Sequence, residues 1–234
     1  MRAMNLIGRI CELAKYPVKS MAGTLLDAAQ LGLHGIEGDR RFAFRRTGDT
    51  GGFPFLTAGR FPELLTYQPA GEPLPTHVRT PSGAELELRS EELRGEIAHR
   101  SGHDVELMMF KHGIFDDGTL SIISTTTIDA ICREAGVPTD RRRMRMNVVV
   151  ETGDLPPFGE DAWVGATLVI GDAAVSVTAR DERCAMVNID PDTGAQDPRV
   201  MKTVVRRNGN YAGVYATVVR AGAIHVGQTV HLLR

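Results

Sequence analysis

The chain has 234 residues, 42% hydrophobic, 24% charged and 6% aromatic, with a formal net charge of −2. That is the profile of an ordinary globular protein able to bury one good core or two small ones. The near-neutral charge and scarce aromatics argue against nucleic-acid binding as its main role. Cys11, Cys132 and Cys184 form no CxxC or zinc-like pairing. They speak against a disulfide framework and a four-cysteine iron–sulfur cluster, and point to a reducing cytoplasm. No signal-like segment opens the chain and no apolar run approaches the ~18 residues of a membrane span, so no membrane is expected.

In chain order, residues 4–13 read as a strand with Leu6, Ile10 and Cys11 facing inward. Tyr16-Pro17-Val18-Lys19-Ser20 is extended by its proline and then enters a loop. Short strands are expected at 25–33 and 41–44, separated by the glycine-rich turn 35–39, with the β pattern continuing at 55–58 and 64–67. A hairpin joins 77–80 and 84–88 across Pro81-Ser82-Gly83. Ser90 caps a short helix over 90–99 that is acidic in its first turn. A strand at 105–110 leads to a soft boundary at Lys111-His112-Gly113, which divides the chain into 1–112 and 113–234.

The clearest helix spans 127–135, with Thr126 as N-cap and Asp129 three residues on. Ile128, Ile131, Cys132 and Ala135 form one apolar stripe, which makes Cys132 a core residue, and Gly136 and Pro138 stop the helix. Strands follow at 146–150, 167–170, 174–178, 213–219 and 229–233, with a long turn-rich loop at 190–201. Frequent short strands and few helices predict an α+β, mainly β fold of two packed, partly interleaved barrel-like units.

Cys184 breaks the apolar setting of a packing cysteine. Arg180-Asp181-Glu182-Arg183 lead directly into it, and the chain turns at Pro191-Asp192-Thr193-Gly194. Arg180 and Arg183 favour the thiolate, the form that attacks or binds a soft metal. The plainer alternative is a half-buried cysteine beside a salt-bridged loop. Arg141-Arg142-Arg143 with Arg145 is the main basic cluster and lacks the interleaved aromatics of a single-strand binding groove.

The order of motifs resembles one family. YPVKS (16–20), GDRRF (38–42) and FLTAGRFPEL (55–64) are similar to the N-terminal β-barrel region of MOSC proteins. RMN (145–147), PFGEDAW (157–163), RCAMVNIDPDTG (183–194) and AGVYATV (212–218) resemble the MOSC domain. The likeness is to the mitochondrial amidoxime-reducing component and its bacterial single-chain relatives, and it runs along nearly the whole chain.

The resemblance implies a molybdenum cofactor, a molybdopterin carrying the metal, with Cys184 as protein sulfur ligand, which suits soft thiolate chemistry. It further implies that Lys19, Ser20 and Arg40 contact the cofactor, the cations serving its phosphate. Ser124, Thr125 and Thr126, at a helix start whose free N–H groups form an anion site, are implied to join them. Arg145, Asn147, Arg183 and Tyr215 complete the implied set. Singly, Lys19 reads as a solvated charge, Arg40 as a partner of Asp39, Thr126 as a cap and Tyr215 as packing. Thr125 stands where the family has an acidic residue, Met146 and Glu182 where it has prolines.

The implied activity is reductive removal of oxygen from a small N-hydroxylated or N-oxygenated substrate, with Asp181, Glu182 or water as proton donor. Because the chain shows neither cluster cysteines nor a GxGxxG dinucleotide motif, and ends soon after its last strand, electrons are expected from a separate reductase, ferredoxin-like or cytochrome-like protein. The alternative is a carrier of the cofactor, or of sulfur on Cys184.

Overall fold

In the computed structural model, which describes residues 4–233, side-chain alternation divides one strand between two cores. Val148 and Val150 of the strand Val148–Glu151 face one apolar cluster and Val149 faces another. Ile122 and Ile123 of Leu120–Ser124 divide the same way, as the two-residue period of a strand requires. The first cluster fills a closed barrel. Its seven strands run in the order Val148–Glu151, Leu120–Ser124, Tyr211–Arg220, Ala173–Glu182, Thr167–Ile170, Thr229–Leu233 and Met4–Lys15, the last pairing back onto the first.

The N-terminal strand is therefore a stave of the C-terminal barrel. Thr24–Leu26 extends it, and Ala28–Gly32 pairs with Gly222–His225. Residues 18–105 build a second core around Val18, Phe42, Phe44, Leu56 and Tyr67. The pair Phe42–Arg46 and Val105–Met109, the sheet of Gln68–Ala70, His77–Arg79 and Glu85–Glu87, and α1 (Glu91–Ser101) surround it. Two interleaved, mainly β units result. The expected units began at residue 1 and ended at 234; residues 1–3 and 234 lie outside the described residues.

Several expected elements shift for identifiable reasons. Leu6 is exposed, because register breaks at Leu6/Gly8 and Ile10/Glu12 interrupt the alternation; Ile10 and Leu13 are the inward residues. The stretch 25–33 forms two strands instead of one. Residues 64–66 belong to a 3-10 turn, Pro62–Thr66, started by its proline and followed by extended Tyr67, and 55–58 holds only one bridge, from Phe55 to Arg45. The cap of α2 (Thr125–Ala135) is Ser124: its backbone is extended and its Oγ accepts from Thr127 N–H at 3.2 Å, while Thr126 lies inside the helix.

A third helix, α3 (Arg199–Asn208), occupies the end of what reads as a loop. Pro198 stands at its cap with no side-chain bond, so the usual start signal is missing; the Asp197 carboxylate receives Arg199 N–H instead. Val200, Thr203 and Val204 bury one face, and Gly209 at φ +60° ends the helix. α2 and α3 enclose the third apolar cluster, which holds Cys132 fully buried. Cys132→Ala is expected to lower unfolding stability by about 1 kcal/mol in urea denaturation, with ligand binding unchanged.

Candidate functional site

Backbone strain marks one region. Ser20 (φ +66°), Arg40 (+49°), Arg145 (+52°) and Asn210 (+88°) are four of five non-glycine residues in the left-handed region among the described residues. All four line a single cleft, and strain of this kind gathers at sites whose geometry the surrounding fold enforces. The cleft has an inner part of about 80 Å³ and an outer chamber of about 680 Å³, which share Lys19, Ser20, Asp116, Arg183, Cys184 and Tyr215.

The N-terminal half supplies the first wall. Pro17 keeps Tyr16–Ser20 extended, and Lys19 N–H donates to Phe42 O at 2.7 Å, which fixes the lysine at the cleft. Buried Lys19 reaches Asp116 Oδ1 at 2.9 Å and lies 5.5 Å from the Phe53 ring centroid. Burial opposes ionisation of Asp116, but Lys19, with Arg40 and Arg183 behind it, holds its carboxyl below the usual range. Arg40 pairs with Asp39, as its local sequence suggests, and sits between the rings of Tyr16 and Phe115 at 5.3 and 5.8 Å.

Asn147 stands behind this wall. Its Nδ2 donates to Asp39 Oδ2 at 2.9 Å and Ala14 O at 3.2 Å. Its Oδ1 accepts from Ser121 N–H and Oγ–H at 3.1 and 3.0 Å, and more distantly from Arg40. The amide is fully used within the protein and does not line the cleft. Asn147, expected to contact a ligand edge, here braces Asp39 and Ser121.

The C-terminal half supplies three arginines and the sulfur. Arg145 donates to Met21 O at 2.7 Å, stacks on Tyr16 at 4.4 Å and has no carboxylate partner among the described ion pairs. Burial drives its pKa down to about 10; Tyr16 opposes that and nearby Arg40 adds to it. The guanidinium stays charged at neutral pH with most of its donors unspent. Arg143 pairs with Asp190 Oδ2 at 2.7 Å, and the same Asp190 closes the turn by accepting from Asp192 and Thr193 N–H. Arg183 pairs with Asp181 and donates to Met144 O, yet its buried Nε has no partner.

Cys184 is exposed, whereas Cys132 is buried and Cys11 half-buried. Register breaks at Val177/Ala179 and Arg180/Glu182 bend the strand Ala173–Glu182, which stays paired as far as Glu182 with Tyr211, two residues before the sulfur. The following turn, Ala185–Asn188, is held by α3 through Met201 N–H to Asn188 Oδ1 at 2.8 Å. The helix missed in the sequence thus anchors the cysteine segment. Tyr215 lines both parts of the cleft, and Gly118 faces it so closely that a Cβ there would lie 2.7 Å from Tyr215 Cβ.

Ser124, Thr125 and Thr126, expected to share an anion pocket with Lys19 and Arg40, are not among the residues lining the cleft. Ser121 lines the inner part, and Ser124 lies three positions further along the same strand, about 10 Å away. The α2 start is filled from within: buried Glu160 accepts from Ser124 Oγ at 2.9 Å and Thr127 Oγ1 at 2.8 Å. This internal carboxyl occupies the hydroxyls of Ser124 and Thr127 and, at 3.5 Å, the Ser124 N–H.

The charges are sorted along the cleft. Lys19, Arg40, Arg143, Arg145 and Arg183 outnumber Asp116, Asp181 and Glu182 in the inner part. The outer chamber has Lys19 and Arg183 against Asp116, Asp117 and Glu182, with Phe53 on its wall. An anionic group suits the inner end and a neutral or cationic molecule the outer, with Cys184 between. Sequence reasoning missed Asp116, Arg143 and Phe53 as lining residues; they come from a loop, a basic run and a glycine-rich stretch with no pattern of their own.

Comparison with known proteins shows the fold and the family. A curated relative, the molybdenum cofactor sulfurase of Drosophila mojavensis, is 24% identical over 88% of the chain, which spans only 31% of that protein. The YUAD protein from Bacillus subtilis shares the fold at a TM-score of 0.55 and 17% identity, covering 99% of this chain and 98% of its own. A hypothetical protein of known structure superposes at TM-score 0.50 and 10% identity over 98% of the chain and 70% of its own. The MOSC N-terminal beta barrel domain matches residues 7–114 and the MOSC domain residues 109–231, so the chain belongs to the MOSC family, whose proteins are associated with the molybdenum cofactor.

Proposed function

We propose that the cleft binds the molybdenum cofactor, with Cys184 as sulfur ligand to the metal, and that the protein reduces N-hydroxylated or N-oxygenated compounds. The observation that carries this reading is an exposed thiol placed where a cationic pocket meets a roomy outer chamber. The donor set fits such a group. Arg145 lacks a carboxylate, and the buried Nε atoms of Arg143 and Arg183 lack partners. Among the described residues no three His, Cys, Asp or Glu side chains converge on a metal position, so a metal at Cys184 takes its other ligands from a cofactor.

In this reading Lys19, Ser20, Arg40 and Arg145 hold the anionic end, Arg40 and Arg145 presenting planar donors suited to phosphate. Arg183 lines both parts of the cleft beside Cys184. Asn147 acts through Asp39 by fixing Arg40. When bound, the cofactor supplies a two-electron metal centre able to take oxygen from an N–O bond. The protein excludes bulk water from the inner end, seats the substrate in the outer chamber and orients it over the sulfur. Electrons come from a separate donor protein; no nucleic acid or membrane takes part, and among the described residues no helix is long and apolar enough to cross a membrane.

Exposure of Cys184 and the likeness to a molybdenum cofactor sulfurase favour one other reading, a carrier of cofactor or sulfur. Protein purified from a molybdenum-replete host decides between them. Stoichiometric molybdenum and pterin, with turnover of an amidoxime by a reduced dye, supports the reductase; the same content without turnover favours the carrier. Arg145→Ala is expected to cut pterin retained through gel filtration about tenfold, since a hydrogen bond to a charged group contributes about 1.5–3 kcal/mol.

A further inference from the structure

Asp181 is the most buried charged side chain lining the cleft, and it takes no part in holding the proposed cofactor. Its Oδ2 pairs with Arg183, its Oδ1, shut from solvent, has no closely aligned hydrogen-bond partner, and the Tyr215 hydroxyl interacts with the same carboxyl. A bare carboxylate oxygen left like this forfeits its solvation for nothing, whereas a protonated one becomes a donor. Burial pushes the Asp181 carboxyl up, against the pull of Arg183, Tyr215 and Arg40. Beside it, burial and the neighbouring Asp181 raise the Tyr215 phenol, so the tyrosine keeps its proton. Tyr215 lines both inner and outer parts of the cleft, Asp181 the inner part alone.

We propose that Asp181 stores a proton on Oδ1 and delivers it, through the Tyr215 hydroxyl, to the oxygen leaving the substrate. This rests on the reductase reading above. The overall step is R₂N–OH + 2 e⁻ + 2 H⁺ → R₂NH + H₂O. The N–O bond breaks and nitrogen is reduced by two electrons from the separate donor protein. One proton comes from Asp181 by way of Tyr215, which takes a proton from Asp181 as it gives up its own; the other comes from water. Asp181 is then recharged from solvent. Arg183 keeps the acid oriented, and the neighbouring charges on the relay are Arg40 and Asp116.

The test uses cofactor-loaded protein with a reduced dye and an amidoxime, and a second readout without turnover. Asp181→Asn keeps the size and an acceptor for Arg183 but cannot store the proton. Its kcat is expected to fall about a hundredfold, with KM within about threefold and the acid-dependent limb of the rate profile lost. Tyr215→Phe should fall about tenfold while retaining molybdenum. Infrared titration of the unloaded protein should show protonated carboxyl absorption persisting above the ordinary carboxylate range from both buried Asp181 and buried Glu160, and the wild-type minus Asp181→Asn difference spectrum should isolate the Asp181 component. A kcat within threefold of wild type with an unchanged pH profile overturns the proposal, and so does absorption that loses no component on the substitution. Should Asp181→Asn fail to fold, Tyr215→Phe decides, by its tenfold loss of kcat and by a shift of the Asp181 component while the Glu160 component stays in place. If wild type loads molybdenum but turns over nothing, the reductase reading fails separately, and a missing Asp181 component would still refute the stored proton.

Discussion

Cys184→Ala is expected to abolish the proposed dye-driven N–O reduction, a loss beyond the 10–100-fold typical of changes to a metal's outer-shell partners. Cys184→Ser should be nearly as inactive, because a hard hydroxyl oxygen does not replace a soft thiolate. The contrast with the other cysteines is physical. Cys132 is enclosed between α2 and α3, and Cys11 bonds Val149 O at 3.4 Å with its thiol raised chiefly by burial. Burial likewise raises Cys132. Brief alkylation of unloaded protein, read by peptide mass, should label Cys184 first, and cofactor loading should protect it. Full turnover in the alanine variant, or preferential labelling of Cys11, would end the ligand assignment.

Local signals carried much of the fold. Ser90 and the acidic residues after it specify α1, and the stripe Ile128, Ile131, Cys132 and Ala135 specifies α2. The closure of the barrel was not legible, because pairing of Met4–Lys15 with Val148–Glu151 joins residues more than 130 positions apart and no local pattern encodes such a partner. α3 was hidden by a proline at its cap, although Val200, Val204 and Gly209 were in plain sight.

At the site, the polar setting of Cys184 beside Arg183 could be read, although Arg180 turns away to Asp161 and the Tyr211 ring, and motif order gathered Lys19, Ser20, Arg40 and Arg145 on the same cleft. What could not be read was which polar groups are already spent. Asn147 and Ser124 have the donors and acceptors a ligand needs, but Asp39, Ser121 and Glu160 use them first. Satisfaction of hydrogen bonds is a property of the folded neighbourhood, and a sequence motif does not report it.

Glu160→Ala is expected to be the most destabilising single change at the edge of the site, by about 4 kcal/mol in urea denaturation. Removing the carboxyl strands the Ser124 and Thr127 hydroxyls, each buried donor costing about 1–3 kcal/mol, and leaves a cavity beside α2. Glu160→Gln keeps the shape and should lose only about 1 kcal/mol, as for a typical single hydrogen bond. The two variants also differ in pH dependence. Burial raises the Glu160 pKa, although bonds from its own backbone, Thr127 and Ser124 pull the other way. A carboxyl with a raised folded-state pKa stabilises fully below its ordinary range and loses that contribution as pH rises through the raised value. The stability gap between wild type and Glu160→Gln should therefore be wider at pH 5 than at pH 8. Asp181 has the same sign but is common to both proteins, so it cancels in the difference. A gap that widens with pH would mean that Glu160 is held as a stabilised anion, its ionised form favoured by the α2 start over the cost of burial.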